Sequence, residues 1–332
     1  MDNNTLTITF IIFIALVFDF YNGANDAANS ISTIVATKVL KPFYAVLWAM
    51  FFNFISFLIV GTAVAKTVGK GIIDINIVDN YLIASAMIGA SLWTMLCTKL
   101  GLPISASHAL VGGLIGSAIA KAGFGAIIKS GLYTVGLFII LSPLIGLILG
   151  SIIMILLLNI FKRTKPYKIE GIFKKGQLLS SALYSIGHGG NDAQKTAGII
   201  STLLFANGYL GETFYVPIWV ALISYATIAL GTLSGGWKVV NTLGHKLTKL
   251  RPVDGFAAEF GAAITLHTVT FLGIPVSTTH TITGSIMGVG AIKRMHSVRW
   301  GVSKRIIWAW ALTIPGSALI ASISYYISRA IN

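Results

Sequence analysis

The sequence is poor in charge and almost free of cysteine. Only 10% of its 332 residues are charged and 55% are hydrophobic, whereas soluble domains carry about 25% charged residues. The mean hydropathy is +0.83. This composition excludes an ordinary soluble domain and predicts an integral membrane protein. The single cysteine, Cys97, excludes an internal disulfide and a cysteine-rich metal site, and we expect it to pack as a small apolar residue of a membrane helix.

The sequence also lacks the motifs of several other classes. It contains no Gly-x-x-x-x-Gly-Lys-Ser/Thr loop, which argues against a P-loop ATPase. It has no aromatic and basic surface segment, so we predict no nucleic-acid partner and attribute the net charge of +14 to membrane loops. It has no Gly-x-Ser-x-Gly elbow. An intramembrane enzyme that uses Ser107 or Ser277 with a histidine is therefore a minor alternative, as is an anion channel.

Apolar runs recur along the whole chain. Many are about 20 residues long, which is the length of a helix that spans a bilayer. They are too long for the strands of a membrane barrel and do not alternate in polarity. We therefore predict an all-α polytopic protein in a lipid bilayer, with about 10 to 12 membrane segments.

Two pairs of polar motifs interrupt the apolar runs. Gly-x-Asn-Asp-Ala occurs at Asn25-Asp26 and again at Asn191-Asp192, and Pro-x-Ser-x-Ser/Thr-His occurs at 103–108 and again at 275–280. Because the motifs recur in the same order, we predict a duplication. The first repeat covers 1–161, the second covers 178–332, and a basic linker covers 162–177. We predict that 102–121 and 274–293 form two broken re-entrant hairpins.

Loop charge predicts the orientation. If both termini lie outside and the central linker is cytoplasmic, most of the 24 lysines and arginines fall on the inside, as positive-inside topology requires. The first Asn-Asp motif is then entered from outside and the second from inside. We therefore predict inverted-topology repeats, as in many secondary transporters, in the plasma (inner) membrane of the cell.

Four carboxylates are candidates for membrane depth: Asp19, Asp26, Asp192 and Glu259. A carboxylate within a membrane is costly and indicates function. Asp26 and Asp192 occupy matching places in the two halves, and their oxygens suit sodium or a transported proton. We predict that they bind the coupling cation, together with Asn29 and Glu259. The polar stretches around them are expected to break their helices.

The Pro-Ser-His segments suit an anion. A broken helix exposes backbone amides, and amides together with hydroxyls can bind an anion without arginine. The predicted substrate-binding residues are Asn25, Ser105, Ser107, Asn191, Gln194, Ser277, Thr278 and Thr279. For Asn25 and Asn191, contact with substrate and support of backbone at a helix break are equally good interpretations. Lys195 either attracts the anion or extends towards the membrane surface. His108 and His280 are expected to stabilise the breaks.

The four motifs together resemble the inorganic phosphate transporter (PiT) family of sodium- or proton-coupled phosphate symporters. The resemblance covers essentially the whole chain, at 18–29, 101–108, 187–195 and 273–280, and the short central loop resembles the compact prokaryotic low-affinity members. It implies outer termini and a cytoplasmic central loop. It also implies essential coupling roles for Asp26 and Asp192, a functional Glu259, and a substrate enclosed by both motif pairs. Animal members carry a glutamate where this chain has Asn53.

The predicted function is that of a secondary active transporter rather than an enzyme. It would import inorganic phosphate by symport with sodium or a proton, through alternating access. The principal alternative is a sulfate permease of the same family, since some bacterial relatives carry sulfate. We expect no cofactor beyond the coupling ion, and we include a homodimer among the assemblies to be considered.

Overall fold

The computed structural model describes residues 3–293 and 295–331 and is dominated by helices. Within these residues the twelve α-helices are α1 (Asn3–Ala36), α2 (Pro42–Ile59), α3 (Ala63–Gly71), α4 (Asn80–Leu100), α5 (Ala106–Ala122), α6 (Lys129–Ile160), α7 (Pro166–Ala206), α8 (Ile218–Ser234), α9 (Trp237–Asn241), α10 (Pro252–Phe271), α11 (Thr278–Lys293) and α12 (Trp300–Ile331). Extended pairing within the described chain is limited to one isolated bridge between Ile73 and Ile127. The predicted all-α fold is confirmed.

Several helices have the length and polarity of membrane spans. Five of the described helices, α1, α2, α4, α6 and α12, are long and apolar enough to cross a bilayer, and α8 with the helical segment that follows it forms a sixth, bent by 64°. Large apolar side chains such as Phe10, Leu58 and Phe271 are exposed, while most polar side chains of α1 and α7 are buried. This distribution suits a lipid solvent, and the predicted multi-pass membrane protein is confirmed.

The two halves pack into each other. Helix α1 packs on α8 as α7 packs on α2, and α5 packs on α12 as α11 packs on α6. Each pair therefore joins one half of the chain to the other. Close contact comes from small residues: a Cβ at Gly112 or Gly116 would overlap the backbone of α12, and one at Gly284 would overlap the backbone of α6.

The basic segment predicted as a linker at 162–177 is mostly helical. Only 161–165 separate α6 from α7, because Pro166 occupies the first turn of α7, a position that suits proline. The remaining residues of the segment form the first turns of this 41-residue helix. The basic residues are thus carried partly on the exposed first turns of a helix.

The re-entrant segments differ in detail from the prediction. Each predicted segment holds one helix, α5 or α11, and the other arm of the hairpin is the preceding helix, α4 or α10. The arms are separated by a short non-helical tip that begins at Gly101 (φ 71°) and at Gly273 (φ 70°), a left-handed conformation that ends a helix and favours glycine. The span 102–121 is too short for two helical arms, so the hairpin includes the helix before it.

Candidate functional site

The two Asn-Asp motifs lie where α1 and α7 cross in the middle of the bundle. Both helices continue through the motifs, so the expected helix breaks are absent. The backbone ladder is intact, and the polar side chains bond instead to neighbouring elements. Asp26 and Asp192 are each only 1% exposed. Their surroundings therefore come from the two hairpins and not from unwound backbone.

Asn25 and Asn191 hold the hairpin tips in the same way in both halves. Asn25 Nδ2 donates to Thr98 Oγ1 (2.9 Å) and to the carbonyl of Leu102 (3.3 Å). Asn191 Nδ2 donates to the repeat-related Thr270 Oγ1 (2.9 Å) and to the carbonyl of Ile274 (3.3 Å). Neither Oδ1 atom has a hydrogen-bond partner within the described structure. The amide nitrogens are thus occupied, and the free oxygens suit a cation better than phosphate.

Threonines of the second tip join the two carboxylates. Thr278 Oγ1 lies 3.0 Å from Asp26 Oδ2 and 3.1 Å from Asp192 Oδ2. Thr279 Oγ1 lies 3.1 Å from Asp26 Oδ1 and also accepts from Asn29 Nδ2 at 2.9 Å. A hydroxyl has one hydrogen, so Thr278 can satisfy only one carboxylate at a time. The pair therefore needs further positive charge between its oxygens.

His188 supplies one of the groups that face the pair, and the sequence analysis gave it no role. Its Nε2 lies 3.8 Å from Asp26 Oδ2 and 3.4 Å from Asp192 Oδ2. Its Nδ1 lies 3.0 Å from Asn53 Oδ1, and Asn53 Nδ2 donates to Thr232. Asn53 Oδ1 therefore accepts a hydrogen bond from Nδ1 of His188. The other ring nitrogen, Nε2, faces the two carboxylates. The ligand atoms of Asp26, His188 and Asp192 lie within 4.8 Å of one another, a spacing that can hold a cation.

Lys195 supplies a positive group next to the pair. Its Nζ lies 2.5 Å from Asp192 Oδ1, 2.5 Å from Ser107 Oγ and 2.7 Å from the carbonyl of Val276. An ammonium has three hydrogens, and all three are used. At 2% exposure the side chain does not extend to the membrane surface, so that interpretation is wrong, and attraction of the anion stays a prediction. In this conformation Lys195 neutralises Asp192 and ties both hairpin tips to α7.

The remaining tip residues have mainly structural contacts. Ser105 Oγ accepts from the backbone of His108 (3.2 Å), and Ser277 Oγ accepts from that of His280 (3.1 Å). Both serines thus cap α5 and α11. The two histidine rings meet edge to face with centroids 4.6 Å apart, and His280 stacks on Trp310. These contacts hold the tips against each other, as expected for residues that stabilise a break.

His280 also compensates for a proline. Pro143 lies inside α6 and has no amide hydrogen for the carbonyl one turn earlier, that of Ile139. His280 Nδ1 lies 3.4 Å from this carbonyl oxygen. The second tip is thus attached to the membrane-spanning helix beside it.

Gln194 and Glu259 lie apart from the carboxylate pair. Gln194 Oε1 accepts from the backbone of Ala65 (3.2 Å) and so positions α3. Glu259 is fully buried and accepts from Thr33 Oγ1 (2.5 Å), Ser180 Oγ (2.5 Å) and Gln177 Nε2 (2.9 Å). Thr33 lies two helical turns beyond Asp26 on α1, about 10 Å along the helix. Glu259 therefore forms a second polar cluster, distinct from the first.

A polar track leads from Glu259 to a large cavity. Gln177 Oε1 accepts from Thr37 Oγ1 at 2.8 Å, and Thr37 lines a cavity of about 590 Å³ at the junction of α1, α6, α7 and α10. Lys38, Lys162 and Arg251 also line this cavity. The central pair, the Glu259 cluster and the basic cavity thus follow one another along α1 and α7.

A buried polar site held between two hairpins, within a shell of apolar helices, is the architecture of a membrane transport protein. A family model described as "Phosphate transporter family" matches residues 22–321. The chain belongs to this family. This membership confirms the resemblance found in the motifs and confirms that the protein is a transporter and not an enzyme.

Relatives and a solved structure agree with this assignment. The chain is 53% identical over 316 residues to a probable low-affinity inorganic phosphate transporter of Rhizobium meliloti (strain 1021), covering 95% of each chain. It is 40% identical to a protein of the same description from Bacillus subtilis (strain 168), covering 100% of each. A solved structure described as "The sodium-dependent phosphate transporter" matches with a TM-score of 0.91 and 26% identity, over 98% of this chain and 100% of that chain.

Proposed function

We propose that the protein imports inorganic phosphate by symport with sodium. The observation that carries the proposal is the buried pair Asp26–Asp192, bridged by one threonine hydroxyl that can donate to only one of them. Two carboxylates repel a phosphate anion, so phosphate can bind beside them only when cations neutralise them. Sodium is favoured over the proton because the similar solved structure is described as sodium-dependent. The buried amide oxygens of Asn25 and Asn191, each next to one of the aspartates in sequence, also have no hydrogen-bond partner within the described residues, and such oxygens are ligands for a hard cation.

Lys195 couples the two ions in this proposal. Its ammonium is bound to Asp192 at 2.5 Å. Sodium that binds to Asp192 would displace the ammonium, which Ser107 and the carbonyl of Val276 keep at the hairpin tips. The released ammonium, with the hydroxyls of Ser107, Thr278 and Thr279, would then bind phosphate. Phosphate would thus bind tightly only after sodium, which is the requirement for symport.

Alternating access would come from the two hairpins. We propose that the repeats 1–161 and 178–332 have inverted topology, with both termini outside and the central segment in the cytoplasm. Lys121 joins Asp79 at 2.5 Å and Lys293 joins Asp254 at 2.5 Å, which braces the open end of each hairpin. Each hairpin, α4–α5 and α10–α11, would therefore move as a unit against the outer helices.

Glu259 would serve the cytoplasmic side of the path. Its cluster lies between the central pair and the basic cavity of about 590 Å³. A cation that leaves the pair would meet this carboxylate next, and Thr37 and Gln177 continue the polar track to the cavity. In the first half Met87, fully buried, stands at the repeat-related position, so the first half has no acid there.

The test is phosphate uptake into proteoliposomes under sodium and pH gradients imposed separately, with sulfate as competitor. We expect sodium to drive accumulation against the phosphate gradient, with sulfate competing poorly. The variants Asp26→Asn and Asp192→Asn should abolish accumulation, whereas Asp74→Asn, at a half-buried loop carboxylate, should not. Accumulation driven only by pH would replace sodium with the proton, and dissipation without accumulation would indicate a channel. Preferred uptake of sulfate would favour the sulfate permease.

A further inference from the structure

Asp19 is a buried carboxylate that the proposed transport cycle leaves unused. It lies in the middle of α1 and is 0% exposed. Its Oδ1 accepts one hydrogen bond, from Thr196 Oγ1 at 2.8 Å. Its Oδ2 has no hydrogen-bond partner within the described residues. A carboxylate at membrane depth with one unpartnered oxygen is costly and indicates a role.

The other buried carboxylates of the core are better satisfied. Asp192 has the ammonium of Lys195, and Glu259 has three donors. Asp26 shares the hydroxyl of Thr278 with Asp192 and that of Thr279 with the carbonyl of Ile104, and the ring of His188 also faces it. Asp19 has a single neutral donor, and the ion pairs found in the described structure do not include it. A carboxyl group with so little compensation is neutralised by a proton or by a cation that is not part of the protein, and the oxygen atoms around it suit a cation.

The surroundings of Asp19 supply oxygen ligands. Asn22 follows it by one turn on the same helix, where side chains three residues apart are neighbours. Asn22 Oδ1 is buried and also has no partner within the described chain. Thr196 lies one turn beyond Asp192 on α7, and Asp192, His188 and Asp19 are close enough to interact electrostatically. Carboxylate, amide and hydroxyl oxygens form the ligand set that a hard cation prefers.

Asp19 and Glu259 do not occupy repeat-related positions. Asp19 lies two helical turns before Asp26 on α1, whereas Thr33, which donates to Glu259, lies two turns after it. The repeat-related residue of Asp19 is Ser185, and that of Glu259 is Met87. Each side of the central pair thus has one acid of its own, supplied by a different helix.

We propose that Asp19, Asn22 and Thr196 bind a sodium ion at a site separate from the Asp26–Asp192 pair and on the side opposite Glu259. The inference rests on the proposed sodium symport. With the N-terminus of α1 outside, this site lies on the outer approach to the pair. Sodium bound there adds positive charge next to Asp192 and His188, so it favours the binding of phosphate that follows.

The test is equilibrium binding of radioactive sodium to the purified full-length protein, with phosphate binding measured in parallel. Asp19→Asn should bind one sodium ion fewer per chain than the wild type. Thr196→Val, which removes one ligand, should need about tenfold more sodium for half-saturation of that ion, while Thr196→Ser keeps the hydroxyl and should behave as the wild type. Ser185→Ala, at the repeat-related position, is the matched control and should change nothing.

Three outcomes would overturn the site. In the first, the wild type binds sodium and Asp19→Asn binds the same number of sodium ions with the same half-saturating concentration. This result would refute the site and leave the proposed symport standing. A wild type that binds no sodium would refute both. If Asp19→Asn does not fold, the Thr196 pair decides: equal sodium binding by Thr196→Val and Thr196→Ser would refute the site.

Discussion

Replacing Lys195 by methionine should change sodium and phosphate binding in opposite directions. Met keeps most of the apolar stem but removes the ammonium that contacts Asp192, Ser107 and the carbonyl of Val276 at 2.5 to 2.7 Å. If sodium and the ammonium compete for Asp192, the variant should bind sodium more tightly. Phosphate binding at saturating sodium should be lost, because the variant lacks the cation that would face the anion.

The same change should cost stability when sodium is absent. Both partners are at most 2% exposed, and removing one partner of a buried pair costs about 3–5 kcal/mol. Because Asp192 keeps Thr278 and His188 nearby, we expect the lower value, about 3 kcal/mol, which corresponds to a decrease in Tm of roughly 6 °C. Adding Asp192→Asn to the variant should recover part of this loss, because no unpaired charge then remains.

The assays are thermal unfolding in detergent, followed by tryptophan fluorescence with and without sodium, and equilibrium binding of each ion. Sodium should stabilise Lys195→Met more than it stabilises the wild type. Lys195→Arg serves as a second variant, because its planar fork keeps the charge but does not match three donors around one nitrogen. Unchanged or weaker sodium binding in Lys195→Met would refute the exchange of ammonium for sodium. A double variant no more stable than the single one would refute the stability argument.

Three further predictions follow from the packing and the polar clusters. Gly284→Ala should lower stability by about 1–3 kcal/mol in the same thermal assay, because the added Cβ would overlap the backbone of α6. The Cβ of Gly136→Ala would enter open space, so this control should keep its stability. Equal effects of the two variants would argue against close helix packing at Gly284. Glu259→Gln should fold, since neutral partners surround it, but should slow sodium-driven uptake in proteoliposomes; a normal rate would remove Glu259 from the path. Asn53→Ala removes the acceptor that orients His188 and should weaken sodium binding about tenfold, which a sodium titration checks.

Much of the fold was predictable because it depends on composition and order. Low charge and repeated apolar runs indicated an all-helical membrane protein, which the structure confirms. The duplication that motif order indicated stays a prediction. Prediction was weaker at helix ends. The Asn-Asp motifs were expected to break their helices, but α1 and α7 pass through them, since Asn25 and Asn191 find partners on the hairpin tips. The hairpins were predicted too short, because a glycine ends each preceding helix and that helix forms the other arm.

The candidate site was predictable in part for the same reason. Asp26, Asp192, Ser107, Thr278 and Thr279 stand out as polar residues in apolar sequence, and the structure brings all five together. The role of other residues became visible only in the tertiary structure. His188 lies one turn before Asp192 on α7, a spacing that could have suggested it, but its contact with Asp26 comes from the other half of the chain.

The sequence by itself determined the class of protein and the acidic residues at membrane depth, because lipid admits so few polar residues that each one is visible in the sequence. Only the tertiary structure decided which of these residues share a site. Lys195 meets Asp192 and Ser107, Thr278 bridges the two aspartates, and Glu259 and Asp19 stand apart on either side. These relations depend on how two hairpins pack against two crossing helices, and contacts between residues so distant along the chain are set by packing geometry, which local sequence does not encode.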